Sequence, residues 1–287
     1  MALLIINADD YGLCDSVNRG ILECIEAGAV SDLSFIVNLS EFNGSNELLK
    51  TIEKTDVGLH LNLTAGQSVL GFHSKLVDHQ GNYHDLKTLM LKLWRNEIAL
   101  KDIYREIRAQ IEFLSRHQYR ITHIDSHRNV HLIPSIMRAL LQICRDLKIN
   151  VPIRMPYEGS NNLFDLTPLN MLRIPMLNML TMHCYLRTKY KWNIQTIGGN
   201  FFNNPHPLPV LNKIKVYMKK KPNSIFELAV HPGYPSEKLL EYDGYYQQRS
   251  TELKILKTES FEIIPDRMQI CGFSDLRGKS FGIGIDK

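Results

Sequence analysis

The chain opens on a short aliphatic run, Leu3 to Asn7, that ends in two adjacent carboxylates, Asp9 and Asp10, and a Tyr11-Gly12 turn. A run apolar on both faces with charge at its C-terminal tip predicts a buried parallel strand that delivers side chains to the mouth of an α/β fold. Four more strand-like segments carry chemistry at or near their C-terminal ends. They are Asp56 to Thr64 with His60, Ile121 to His127 with His123, Asp125 and His127, Val151 to Pro156 with Arg154, and Ile225 to Gly233 with His231. Ser31 to Leu39 reads as the second strand. One site assembled by the fold explains why so many strand ends carry titratable groups.

Between these runs the apolar period lengthens to that of a helix. Val17, Ile21, Leu22 and Ile25 fall on one face, with Asp15 or Ser16 as the expected cap and Gly28 as the stop. Further helices are predicted near Glu41 to Lys54, over 86–98, over 101–116 (Ile103, Ile107, Ile111, Leu114) and over 132–147 (Ile136, Leu140, Ile143, Leu147). Residues 65–85 keep no sustained period and hold three histidines, which predicts a long loop over the site, a lid or substrate wall. Residues 157–206, rich in Leu, Met and Asn, are expected to insert helices and loops before the last long strand.

Strands alternating with amphipathic helices imply right-handed βαβ units and a mostly parallel sheet. A dinucleotide-binding sheet would show a glycine-rich turn after its first strand, and Asn7 to Ser16 offers only Gly12. Because the chemistry arrives from several different strands, the expected fold is α/β, an irregular parallel (β/α) barrel. A single domain over residues 1–287, with insertions near 65–85 and 157–206, accommodates the length and the 44% hydrophobic content.

A net charge of +4 is modest, and the dense basic stretch Lys213 to Lys221 reads as a solvated helix face. With no recognised motif or basic aromatic groove, nucleic acid is not an expected partner. The first strand starts too close to the N-terminus for a signal sequence, and no apolar run would span a bilayer. Five cysteines without a Cys-x-x-Cys pair argue against a disulfide framework or structural zinc. Cytoplasmic residence is the default expectation, and a homodimer is left open.

Asp, His and His make a compact ligand set for a divalent ion with open positions for solvent or substrate. Such an ion polarises a carbonyl and generates a nucleophile near neutral pH, and a second carboxylate beside the first can take the proton. Asp10 as ligand with Asp9 as base fits, and the opposite assignment stays open. His127, where strand gives way to helix, is the strongest histidine ligand. His131 follows as a ligand or a group behind one, and His123 and Asp125 lie deeper as orienting groups. Each of these residues taken singly has an ordinary alternative as a cap, a core histidine or a structural ion pair.

The blocks Asn7 to Ile21, Val57 to Gln67, Thr122 to Pro134, Ile153 to Pro156 and Glu227 to Tyr234 resemble, in order and spacing, the YdjC-like carbohydrate deacetylases. This family includes chitooligosaccharide deacetylases, and the resemblance runs from Ile6 to about Leu256. It implies a polysaccharide-deacetylase-like barrel and metal-dependent removal of an acetyl group from an N-acetylated sugar or oligosaccharide. By the same resemblance Asp10, His60 and His127 would bind one ion, magnesium or zinc, Asp9 would be the base and His231 the general acid. Arg154 would orient Asp9 or contact substrate. Both insertions should project over the barrel mouth, where Phe72, Tyr83, Trp192 and Phe201 could stack on sugar rings, although a packed core is the more common fate of each taken singly. The family commonly has a further histidine where this chain has Asn129, which would alter substrate binding more than chemistry. The chain's length and the segment Ile197 to Phe202 are similar to a branch associated with hopanoid biosynthesis. Two other classes compete: a glycosidase using Asp9 with Glu227 on either side of a glycosidic bond, which leaves the two histidines unexplained, and a non-catalytic sugar-binding relative.

Overall fold

The computed structural model describes residues 2–39, 55–71, 74–156, 168–188, 194–197, 215–216, 218–263 and 268–276. Its spine is a parallel sheet built from β1 (Ala2–Tyr11), β2 (Asp32–Phe35), β3 (Asp56–Leu61), β4 (Ile121–Ser126), β5 (Ile194–Ile197), β6 (Ile225–Val230) and β7 (Met268–Ile270). The order is β4-β3-β2-β1-β6-β5. β1 pairs along one edge with β6, and along the other with β7 near its start and β2 near its end. The Val151 to Pro156 segment extends the sheet beyond β4 through one bridge, Ile124 to Ile153.

Alternation along each strand sorts the side chains into a helix-facing core and an interior face. Leu4, Ile6 and Ala8 join the large core, whereas Ile5 meets Ile194, Ile225, Cys271, Phe273 and Leu276 in a separate apolar plug. Two and four residues further along the face of Ile5 come Asn7 and Asp9. The interior therefore changes from apolar at the strand starts to polar at the strand ends. Arg154, beyond β4, reaches Asp9 on β1 and Glu227 on β6, which requires the sheet to curl. It forms a half-barrel flanked by helices, in agreement with the expected α/β architecture.

The helices follow the apolar periods with local differences. They are α1 (Asp15–Glu26), α2 (Leu86–Trp94), α3 (Leu100–Arg116), α4 (Pro134–Asp146), α5 (Pro168–Thr188), α6 (Glu237–Tyr242) and α7 (Gln247–Ile263). At α1 the capping expectation fails: Cys14 holds the cap position with no side-chain cap, and Asp15 is already the first helical residue. Gly28, at φ +67, does end that segment. β2 is shorter than its apolar run, and the helix expected near Glu41 to Lys54 lies outside the described residues. The described residues of 65–85 form no helix but a flap with two antiparallel bridges, Gln67 to Asn82 and Val77 to Tyr83. Buried Glu106 on α3 anchors it, accepting hydrogen bonds from the Tyr83 hydroxyl, Ser68 and the Val69 amide.

Gly58 on β3 shows how tightly the interior is filled. A Cβ there would sit 2.3 Å from the His123 ring, which is stacked on Phe273 at 3.9 Å and bonded to Ser34. The ring has no room to retreat. Gly58→Ala is expected to lower stability by about 1–3 kcal/mol, the usual cost of overpacking, read as a lower urea midpoint at unchanged slope. An unchanged midpoint would show that the ring yields freely.

Candidate active site

Strict alternation would send Asp9 and Asp10 to opposite faces of β1. The pairing of β1 with β2 shifts register between Ala8 and Tyr11, and Asp10 adopts φ +69. That left-handed turn, uncommon for a residue with a Cβ, brings both carboxylates to one cavity of about 210 Å³. Gly12 makes the exit possible, since at φ +92 a Cβ there would meet the Ile36 carbonyl at 2.3 Å.

The two carboxylates have different partners. Asp10 Oδ1 lies 3.1 Å from His60 Nε2 and 2.8 Å from His127 Nδ1, while its Oδ2 accepts from Arg249 at 2.5 Å. Burial alone would raise the Asp10 carboxyl, but His127 and Arg249 hold it well below the ordinary carboxylate range. His60 Nδ1 is fixed on Asp125 Oδ1 at 2.7 Å. Burial alone would depress the His60 imidazole, yet Asp125 and Asp10 push it up to about 10. His127 keeps its Nε2 buried without a hydrogen-bond partner.

Asp9 belongs to a second network around Arg154. The guanidinium grips Asp9 with two bonds, at 2.5 and 2.8 Å, and Glu227 Oε1 with two more, at 2.8 and 2.5 Å. It also pairs with Asp125 Oδ2 at 2.8 Å. Asn7 donates to Asp9 Oδ1 at 2.6 Å and to Ser34, which donates to Asp125. Burial raises the Glu227 carboxyl against the pull of Arg154.

These partners decide which residues suit a cation. Asp10, His60 and His127 bring three donor atoms within 4.8 Å of one another, and so do Asp9, His60 and Asp125. In the second group one guanidinium nitrogen already bonds both carboxylates, so an added cation would face a fixed positive charge. In the first group Asp10 Oδ1 faces two imidazoles, and one of them has an unused nitrogen. Imidazole nitrogen and carboxylate oxygen donors together suit zinc or another divalent first-row ion, and the first group fits one.

The other expected residues fall around this centre. His231, just past β6, has 22% side-chain exposure and sets Nε2 3.7 Å from Asp9 Oδ2. Asn129, at φ +54, lines the cavity beside Arg128 in the 3₁₀ turn after β4. His131 is not placed as a ligand: Nε2 donates to the Arg154 carbonyl at 2.8 Å and Nδ1 faces Ser126 Oγ. Burial pushes its imidazole down to about 4, and that of His123 down to about 3. The glycosidase arrangement also fails, because Glu227 and Asp9 share one guanidinium instead of flanking a substrate. Tyr83 pins the flap to Glu106, away from the lining of the cavity. Phe72, Trp192 and Phe201 lie outside the described residues.

Several contributors escaped the sequence reading. Glu252 accepts from the His231 amide and the Tyr245 hydroxyl, and its Oε1 lies 4.0 Å from His231 Nδ1. Burial raises the Glu252 carboxyl, opposed by His231. Arg249 joins Asp10 to Asp243, and Tyr245 and Asp243 line the cavity. Arg249 and Glu252 share the buried face of α7 with Leu253 and Leu256. A stripe mixing charge with leucine gives no clean apolar period; the only available signal was charge in the middle of a leucine-bearing helix.

Comparison with known proteins identifies the family. Residues 3–264 match the family model described as YdjC-like protein. A chitooligosaccharide deacetylase of Yersinia enterocolitica is 38% identical over 263 residues, covering 91% of this chain and 92% of its own. A carbohydrate deacetylase of Brevibacillus brevis is 29% identical over 276 residues, covering 95% and 99%. Among solved structures, a putative cellobiose-phosphate cleavage protein of Enterococcus faecalis superposes with a TM-score of 0.68 at 22% identity, covering 96% of this chain and 98% of that one. That likeness bears on the fold alone. With the family model spanning every strand that contributes residues to the cavity lining, the chain belongs to the YdjC-like protein family.

Proposed function

We propose that the chain is a hydrolase that removes the acetyl group from an N-acetylated sugar, with one divalent ion held by Asp10, His60 and His127. The observation that carries this reading is the division of labour between adjacent carboxylates: Asp10 against two imidazoles, Asp9 against Arg154 and facing His231. The deacetylase names of its relatives support the substrate class.

The residues supply positioning and proton transfer. Asp9 is locked by Asn7 and Arg154, so it meets the cavity in one orientation and can take the proton of an attacking water. His231 stands on the other side of that space with Nε2 turned to Asp9, placed to protonate the departing sugar amine. The ion, when bound, polarises the acetyl carbonyl and stabilises the charge that develops on its oxygen. Asp125 fixes His60 for this task, as carboxylates behind ligating histidines do. His131 braces the Arg154 backbone.

Asp9→Asn and His231→Ala are each expected to lower turnover by roughly 10² to 10⁴, the span of general acid–base groups, with metal still bound. Mass spectrometry of a panel of acetylated mono- and oligosaccharides, with magnesium, zinc or chelator, reads the reaction directly. Loss of one acetyl mass supports deacetylation, and cleavage between sugars would overturn it. Loss of metal in Asp9→Asn with retention in Asp10→Asn would exchange the two roles.

His60→Ala and His127→Ala should lose metal while staying folded. With Asp125 and Asp10 raising the His60 imidazole to about 10, a cation binding there would displace its Nε2 proton. Apparent affinity should therefore rise with pH, by about tenfold per unit until pH approaches the raised His60 value. Calorimetry in buffers of different ionisation heat should show about one proton released per ion, and a pH-independent affinity would contradict the ligand assignment.

A further inference from the structure

Arg249 is fully buried on α7, and its contacts converge on the residue that the proposed function makes a metal ligand. One nitrogen donates to Asp10 Oδ2 at 2.5 Å and to Asp243 Oδ2 at 2.6 Å, and Nε donates to the Tyr245 carbonyl at 2.9 Å. The remaining nitrogen has no hydrogen-bond partner. A buried guanidinium is tolerated only when anions match it, and here Asp10 and Asp243 are those anions. The arrangement places a permanent cation on the far oxygen of a carboxylate whose near oxygen faces His60 and His127.

Two constraints act on that carboxylate. The left-handed backbone at Asp10 persists only where surrounding contacts hold it. A carboxylate on a short stem can also rotate and offer a cation both oxygens. The contact with Arg249 answers both, since it pins the turn to α7 and occupies Oδ2. We infer that Arg249 is a positioning residue that makes Asp10 a one-oxygen ligand, with Asp243 as the counter-charge that holds the guanidinium in place. This rests on Asp10 being a ligand, and it adds to the site a residue from a different part of the chain. A merely structural brace between α7 and β1 would share these contacts but would leave the coordination of the ion unchanged.

Cobalt(II) bound to the full chain separates the two, because its visible absorption reports the ligand geometry. Arg249→Met should bind cobalt(II) about 10- to 100-fold more weakly, as expected when a group behind a ligand is removed. Its visible band should shift, with kcat for the acetylated sugar falling while KM stays within about twofold. Arg249→Lys, which keeps the charge but not the fork, should recover only part of the loss. Asp243, whose side chain is 18% exposed, gives a second variant should Arg249→Met fail to fold. Asp243→Asn should shift the band in the same sense. A cobalt(II) band and affinity matching the unsubstituted chain, with only a lower melting temperature, would overturn the proposal. An unsubstituted chain that shows the band, and variants that shift it, would uphold Arg249 even if no sugar is deacetylated. Failure of the unsubstituted chain to bind cobalt(II) would overturn both readings.

Discussion

The guanidinium of Arg154 is the constraint on which the rest of the site depends. It enters from the segment beyond β4 and holds carboxylates of the neighbouring strands β1 and β6 together with one of β4, which a flat sheet would keep apart from them with β3 and β2 between. Removing so many charges from water is costly, and a buried ion pair returns that cost only when its geometry and hydrogen bonds are complete. Here Asn7, Ser34 and Thr196 supply the remaining bonds. Removing Arg154 would strand three carboxylates together, so the curl of the sheet and the orientation of Asp9 share one cause.

The charge balance follows from this arrangement. Around the cavity Asp9, Asp10, Asp125, Asp243 and Glu227 face two guanidiniums and the His60 imidazole. The networks meet at Asp125, which bonds Arg154 with one oxygen and His60 with the other. Burial opposes ionisation of Asp125, but Arg154 and His60 hold it below the ordinary carboxylate range. The proposed base and the proposed ion site are therefore mechanically connected while remaining chemically separate. Backbone geometry keeps them separate, because the left-handed turn at Asp10 aims it at the histidines and leaves Asp9 on Arg154.

Much of this was legible in the chain because parallel strands write their function at their C-terminal ends. The aliphatic run before Asp9, the polar alternation through His60 and the strand-to-turn change at His127 each marked a strand and its cargo. The regular helices α3 and α4 followed their apolar spacing. Contributions from helix interiors and turns were harder to read. Arg249 and Glu252 resemble solvated residues when judged by their neighbours, and only packing shows them buried. The Asp10 turn and the Cys14 cap depend on backbone torsions that residue type constrains weakly. His131 has ligand chemistry and ligand spacing, yet Ser126 and the Arg154 carbonyl engage both of its nitrogens. Tyr83 likewise has the chemistry of a sugar platform but serves the Glu106 anchor.

The central claim is that adjacent carboxylates on one strand end divide the work, with the ion beside Asp10 and not beside Asp9. Anomalous diffraction from crystals grown with zinc or manganese tests it most directly. The account predicts one strong peak bounded by Asp10, His60 and His127, with Asp9 still held by Arg154. A peak between Asp9 and Asp125, or a site that draws Asp9 away from the guanidinium, would contradict it.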